Sequence, residues 1–418
     1  MRSIGLMSGT SMDGIDVALL DTDGTPSQLN ELAHTILPYS SEFKTLLKAA
    51  EFAVRHHKGD LNSAKKDYPN LLEYYLRDKM GLKPAAIETR LRILEHYLPL
   101  DFDAVVKHST VLHAAAVRKL LQEQRLSTND IDVVGYHGQT LYHAPHKKLS
   151  IIVGDGDLLA QELQISVVDD FRRKDIEAGG FGAPFAPLYH QALAIRDHHI
   201  PLAVVNCGGI ANLSLILSDH EQDLIGFDTG PGNGLVDQFV RQRTQGREFM
   251  DQDGRYGLSG RVNQSVFAAL FEKAVLQEGQ NYFLKPSPKA LDLGDLYLID
   301  ELNALSLEDG CATLETFTAL SLVESLKPFE DRLPQQFILA GGGWNNPVIL
   351  RALRVELANR YPRVTVKRAD ELGWNSQAME AQIFAYFAVR SLQNLPLSFP
   401  GTTGIPRPMS GGRLSKAS

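Results

Sequence analysis

The sequence predicts an α/β chain of two similar lobes, and three observations carry that expectation. Short apolar runs that read as buried strands alternate with stretches of helical period along most of the 418 residues. A strand, a small-residue loop and a second strand open the chain at 3–20, and the same arrangement returns at 202–217. A chain of this length exceeds one ordinary core. The expected division is 1–200, with a helical insert at about 43–98, and 201–418, whose last helix and tail can pack back on the first lobe.

The opening unit sets the pattern. Ser3-Ile4-Gly5-Leu6-Met7 reads as a strand, Ser8-Gly9-Thr10-Ser11-Met12-Asp13-Gly14 as a tight loop, and 15–20 as a second strand ending at Asp21-Thr22-Asp23-Gly24. Glycine lets a backbone approach an anion closely and hydroxyls add donors, so the hairpin tip is a candidate phosphate cradle. No Gly-Lys-Ser/Thr closes it, which excludes a Walker loop, and Gly9 and Gly14 lack dinucleotide-fingerprint spacing. An ordinary hairpin turn is the alternative. In the second unit, strands at 202–206 and 212–217 flank Cys207-Gly208-Gly209-Ile210-Ala211. Two phosphate-facing hairpins across a cleft are the plan of the sugar kinase, actin and Hsp70 superfamily. The fold class expected is therefore a two-lobed actin-like ATPase of duplicated ribonuclease-H-like domains.

Between the hairpins, 43–59, 71–80 and 84–97 read as helices, the last with proline in its first turn. His56-His57 are adjacent, point to different sides of a helix and make poor co-ligands. A helix at 110–126 leads to a strand at 131–136 that delivers His137-Gly138-Gln139-Thr140 at its carboxyl end, where open sheets bind ligands. Gln139 and Thr140 suit sugar hydroxyls; His137 reads equally as a structural or a functional histidine. A helix at 158–163 and a strand at 165–168 run into Asp169-Asp170-Phe171-Arg172-Arg173-Lys174-Asp175. Arg172 offers a planar fork for a carboxylate or phosphate, and Asp175 can accept from hydroxyls. Surface charge is the alternative, weakened because the run follows a buried strand and precedes Gly179-Gly180-Phe181-Gly182-Ala183-Pro184.

In the second half a short strand, 225–228, ends on Asp228, followed by Thr229-Gly230-Pro231-Gly232-Asn233 and a helix from 236. Asp228 is the candidate general base, with turn capping as the alternative. Asp251-Gln252-Asp253-Gly254 is not a calcium loop, since its glycine comes too early and no closing glutamate follows. Pro286-Ser287-Pro288-Lys289 with Asp292 is a loop of unassigned role. After a helix at 314–326, a strand at 337–340 opens onto Gly341-Gly342-Gly343-Trp344-Asn345-Asn346, flat enough to lie against a planar ring. A plain strand-to-helix turn would read the same. A strand at 364–368 and a helix at 378–392 follow, with Glu380 either reaching the cleft or favouring the helix N-terminus. The Gly-, Pro- and Ser-rich tail, 400–418, reads as a surface segment.

Bulk properties exclude other classes. A net charge of −8 argues against a nucleic-acid binder. Two cysteines, Cys207 and Cys311, make no disulfide framework, and Cys207 reads as a small buried residue. No apolar run approaches membrane-spanning length, and the N-terminus does not read as a signal peptide, so a cytoplasmic protein is expected.

The motifs taken jointly resemble the anhydro-N-acetylmuramic acid kinase family. The opening Gly5-Leu6-Met7-Ser8-Gly9-Thr10-Ser11-Met12-Asp13-Gly14-Ile15-Asp16 matches, as do His137 to Thr140, Asp170-Phe171-Arg172 with Asp175, Gly182-Ala183-Pro184, Asn206 through Asn212, Gly226 through Asn233 and Gly341 to Gly343. The resemblance implies ATP at Gly9, Thr10, Ser11, Met12, Asp13, Gly14, Ile15, Asp16, Gly208, Gly209, Gly341 and Gly342. Mg2+ would sit at Asp13, through water, because that ion keeps much of its hydration; Asp16 is the other candidate. It further implies sugar contacts from Thr140, Arg172, Asp175, Asn233 and Glu380, with a lactyl carboxylate on Arg172. Asp228 would activate a water that opens the 1,6-anhydro ring while O6 takes the γ-phosphate, giving N-acetylmuramic acid 6-phosphate and ADP in cell-wall recycling. A homodimer is implied too. A kinase for another sugar, or a non-catalytic actin-like switch, are the rivals. The polar cluster Thr140, Arg172, Asp175 and Asp228 argues against the switch.

Overall fold

The structure is a computed structural model, and it describes residues 1–9, 11–144, 147–276, 279–291 and 294–417. The chain divides into two compact units. Unit one is Met1–Gly182, Ala378–Ser398 and Ile405–Ser418; unit two is Ala183–Gln377 and Phe399–Gly404. The break expected at 200 thus falls at Gly182, because the helix Ala186–Arg196 packs on strands of the second unit: Pro187 lies where a Cβ on Gly226 would point.

In unit one, β1 (Arg2–Ser8), β2 (Gly14–Thr22) and β3 (Leu29–Pro38) form an antiparallel meander. Next to β1 lies β4 (Val133–Ala144), parallel to it, and β5 (Leu149–Val153) pairs with the far end of β4. Beyond β4 comes β6 (Val167–Asp169), also parallel. The tail closes this sheet. Arg413–Ser415 is a strand antiparallel to β6, and the Arg413 guanidinium grips Asp169 with two hydrogen bonds of 3.0 and 2.8 Å. The glycine-rich tail is therefore built into the sheet, held by strand pairing that its composition does not advertise.

The helix Met379–Leu392 lies against β1 and β4 through glycines. An added Cβ on Gly5 would strike the Ala381 carbonyl, and one on Gly135 the Phe384 carbonyl, so backbone meets backbone there. On the other face Ile4, Leu6, Val17 and Leu19 pack against Val117 and Leu120 of the helix Phe102–Gln124 and Leu159 of Gly156–Leu163. Helices Ser41–His56, Leu61–Tyr74 and Pro84–Tyr97 form a cap with its own core, including Phe43, Leu46, Tyr68, Leu72 and Leu94, closed on Leu141 and Val153. The helices Leu61–Tyr74 and Phe102–Gln124 start well before the sequence expectation because short acids cap them. Asp60 accepts from the Asn62 and Ser63 amides, and Asp101 from the Ala104 amide.

Unit two repeats the plan. Strands β7 (Leu202–Cys207), β8 (Ile210–Ile216) and β9 (Ile225–Pro231) form an antiparallel meander. Strands β10 (Gln336–Ala340) and β11 (Thr365–Arg368) then run parallel to β7 in the order β9-β8-β7-β10-β11. The first sheet has the same path, β3-β2-β1-β4-β6. Val205, Leu213 and Phe227 pack against Leu322 of the helix Leu307–Ser325 and Leu353 of Pro347–Arg360. No helix among the described residues is long and apolar enough to cross a membrane.

Candidate functional site

The first hairpin tip is propped from below. Met12 is fully buried, adopts φ 55° and donates its amide to the Gly9 carbonyl at 3.1 Å. Gln139 also donates to that carbonyl (3.2 Å) and accepts from the Ser8 hydroxyl (2.6 Å). Its amide therefore holds the loop. Gly14 and Ile15 begin β2. The Asp13 carboxylate pairs with Lys44; desolvation opposes its charge, but Lys44 and the Ser11 hydroxyl outweigh it and hold the carboxyl below its usual range. Asp16, paired with Met7 where the hairpin loop ends, approaches His34 at 3.4 Å. Thr10 lies outside the described residues.

His137 through Thr140 lie inside β4 rather than at its end. Gly138, at φ 78°, marks the point past which β4 leaves the parallel partner β6 and takes the antiparallel partner β5. Thr140 is half-buried opposite Ile152. His137 is buried and meets Arg172, whose Nε and Nη2 lie 3.2 and 3.1 Å from the imidazole Nε2. Arginine only donates, so Nε2 is the acceptor and Nδ1 carries the proton, which it gives to the Gly138 carbonyl at 3.0 Å. Burial, and then the Arg172 charge, push His137 well below its usual range, in keeping with that neutral form. The third arm of Arg172, Nη1, donates to the Gly182 carbonyl at 2.5 Å. Asp175 is buried and accepts the Gly182 amide at 2.6 Å, so one turn holds both residues. Glu380 sits in the first turn of Met379–Leu392. The protein crowded around it and the Asp16 charge raise its carboxyl, with Arg172 opposing. Asp16, Arg172 and Glu380 thus share one electrostatic neighbourhood of unit one.

In unit two the second hairpin closes with Gly208 and Gly209. The Asn233 amide donates to the Gly208 carbonyl (2.8 Å) and the Gly232 amide to that of Gly209 (3.0 Å). A Cβ on Gly232 would strike the Gly208 carbonyl, so the two turns interlock only with glycine there. Asn233 also donates through Nδ2 to Asp237 (2.9 Å), while its buried Oδ1 accepts no hydrogen bond among the described residues. Behind the hairpin lies Gly341, at φ 90°, where a Cβ would strike Asn206 and Cys207; Gly342 has open space on its Cβ side. The Trp344 indole donates to the Val205 carbonyl at 3.1 Å and pins this segment to β7. Cys207 is fully buried, which pushes its thiol up to about 12 and leaves it a packing residue.

Asp228 lies within β9, opposite Asn212, and is 7% exposed. Its Oδ2 accepts the Leu291 amide at 2.8 Å, its own amide donates to the Lys289 carbonyl at 3.0 Å, and its carbonyl accepts the Tyr282 hydroxyl. Tyr282 is a neighbour the sequence did not single out, and Lys289 stood there only as part of a loop of unassigned role. Pro286-Ser287-Pro288 flagged only a loop, and nothing local couples it to a strand some sixty positions earlier. Asp292, quoted with that loop, lies outside the described residues. No group of three His, Cys, Asp or Glu side chains suited to a metal occurs among the described residues.

The family model for anhydro-N-acetylmuramic acid kinase matches residues 1–63 and 93–416, leaving out part of the helical cap. The anhydro-N-acetylmuramic acid kinase of Rhodopseudomonas palustris strain BisB18 is 38% identical over 418 residues, covering 100% of both chains. That of Nitrobacter winogradskyi is 39% identical over 423 residues with the same coverage, and that of Azorhizobium caulinodans is 40% identical over 419 residues, covering 99% of each. Among solved structures, component A of (R)-2-hydroxyglutaryl-CoA dehydratase from Acidaminococcus fermentans aligns over 94% of this chain and 99% of its own, at 8% identity and a TM-score of 0.45. With that extent of match from end to end, the chain belongs to the anhydro-N-acetylmuramic acid kinase family and is a phosphotransferase with an alcohol group as acceptor.

Proposed function

We propose that this kinase uses ATP and water to convert 1,6-anhydro-N-acetylmuramic acid into N-acetylmuramic acid 6-phosphate and ADP, as a step in recycling cell-wall fragments in the cytoplasm. The observation that carries the reading is Asp228, a carboxylate in a nearly closed setting, oriented by the Leu291 amide and by backbone bonds at its own N–H and C=O. Asp228 takes a proton from water, whose oxygen forms a bond to the anomeric carbon. The bond from that carbon to O6 breaks, and O6 attacks the γ-phosphorus as the β–γ bridge leaves with ADP. Water supplies the new anomeric hydroxyl, so the atoms balance.

The remaining roles follow chemistry. Arg172, held flat by His137 and Gly182, suits the sugar's lactyl carboxylate, with Thr140, Asp175, Asn233 and Glu380 completing the sugar contacts. The glycines at 9, 14, 208, 209, 341 and 342, with Thr10, Ser11, Met12, Asp13, Ile15 and Asp16, are assigned to the nucleotide. Asp13 fits a magnesium ion held chiefly by phosphate oxygens and water, since it presents an exposed carboxylate whose present partner is Lys44. When bound, that ion would offset the phosphate charge. A homodimer is part of the proposal, tested by sedimentation. The reaction is tested by coupled ADP release with the anhydro sugar and with glucose, and by Asp228→Asn. The variant should lose turnover while still binding ATP; turnover surviving within about tenfold would remove Asp228 as the base.

A further inference from the structure

Lys289 is 3% exposed, an unusual place for an ammonium group. Its Nζ donates to the Tyr282 carbonyl at 3.1 Å and lies 4.4 Å from the centre of the Tyr282 ring and 5.9 Å from that of Phe227. Tyr282 gives its hydroxyl to the Asp228 carbonyl, and Asp228 gives its amide to the Lys289 carbonyl. The three residues close a ring of hydrogen bonds, and the Leu291 amide adds a fourth, to the carboxylate itself. A leucine or methionine would fill the same space without desolvating a charge. The charge therefore calls for another reason.

We infer that Lys289 is a positioning residue for Asp228: its backbone and the Tyr282 bridge fix where the carboxylate points, and its buried ammonium keeps that carboxylate ionised. The inference rests on Asp228 being the base. The groups acting on Lys289 are burial first, which brings it down to about 8, then Lys285, while Asp228 pushes it back up. Tyr282 is raised well above its usual range, by burial and then by Asp228 and Asp295, and stays a neutral donor. Lys289 so placed favours the ionised aspartate at low pH and loses its own charge near pH 8.

The experiment compares Lys289→Met and Lys289→Arg by kcat and KM across pH. The methionine variant should lose about tenfold or more in kcat with both KM values nearly unchanged. Its acid limb should move up, as expected when a nearby positive charge is removed, and the alkaline limb near pH 8 should vanish. Arginine should restore the acid limb. A methionine variant with wild-type kcat and limbs, or two variants equally impaired with unmoved limbs, overturns the inference. Should the methionine variant not fold, the wild type and Asp228→Asn carrying 13C-labelled lysine decide it. The Lys289 titration must fall in Asp228→Asn, and an unmoved titration overturns the proposal. Turnover surviving in Asp228→Asn would instead refute the base assignment, so the two failures are distinguishable.

Discussion

Replacing Glu315 with glutamine should stabilise the second unit, and only above about pH 5. Glu315 is fully buried on the helix Leu307–Ser325; Asn346 donates to its Oε1 at 2.6 Å, and its Oε2 receives no hydrogen bond. The neighbouring Asp251 accepts the Tyr256 and Gly257 amides at 3.0 and 2.9 Å. Burial, and then the neighbouring Asp251, push Glu315 up to about 9 from 4.5, so the buried carboxyl holds a proton at neutral pH. The folded chain keeps a proton that the unfolded chain releases above about pH 4.5, so stability declines with rising pH from there to about 9. At pH 7.5 the three-unit gap corresponds to about 4 kcal/mol. Glutamine keeps an acceptor for Asn346 and binds no proton, so it should recover most of this. For a unit of this size the melting temperature should rise by roughly 10 °C at pH 7.5. Calorimetry at pH 7.5 and 5.0 reads it. A variant no more stable than the wild type at pH 7.5, or a gain equal at both values, refutes the proton assignment.

Arg172→Ala should raise KM for the sugar about tenfold or more and leave KM for ATP nearly unchanged, because a charge-assisted pair is lost; equal rises would place Arg172 elsewhere. His137→Ala should raise the sugar KM less, by freeing two arms of Arg172, and His137→Gln should recover it by restoring an acceptor; steady-state kinetics distinguish the two. Gly135→Ala should cost about 2–3 kcal/mol in a denaturant melt, because its methyl meets the Phe384 carbonyl; an unchanged midpoint would mean the helix yields. Gly232→Ala should impair turnover by parting the interlocked turns at Gly208, with circular dichroism confirming a folded chain.

The sequence by itself determined the hairpins, because glycine loops bounded by apolar runs are local and their recurrence declares the duplication. It also presented Asp228, Arg172 and Asp175, each in a short punctuated stretch. Tertiary structure alone decided what surrounds them. His137 as the acceptor that flattens Arg172, Gln139 as a prop beneath Gly9, and the 282–291 segment gripping Asp228 all join residues distant along the chain. Edge strands β3 and β5 and the tail strand at Arg413–Ser415 were equally silent, since their pairing partners supply the order. The physical reason is common to all of these. Periodicity and turn chemistry act over a few residues, whereas a hydrogen bond or a buried charge is satisfied by whatever the fold brings near.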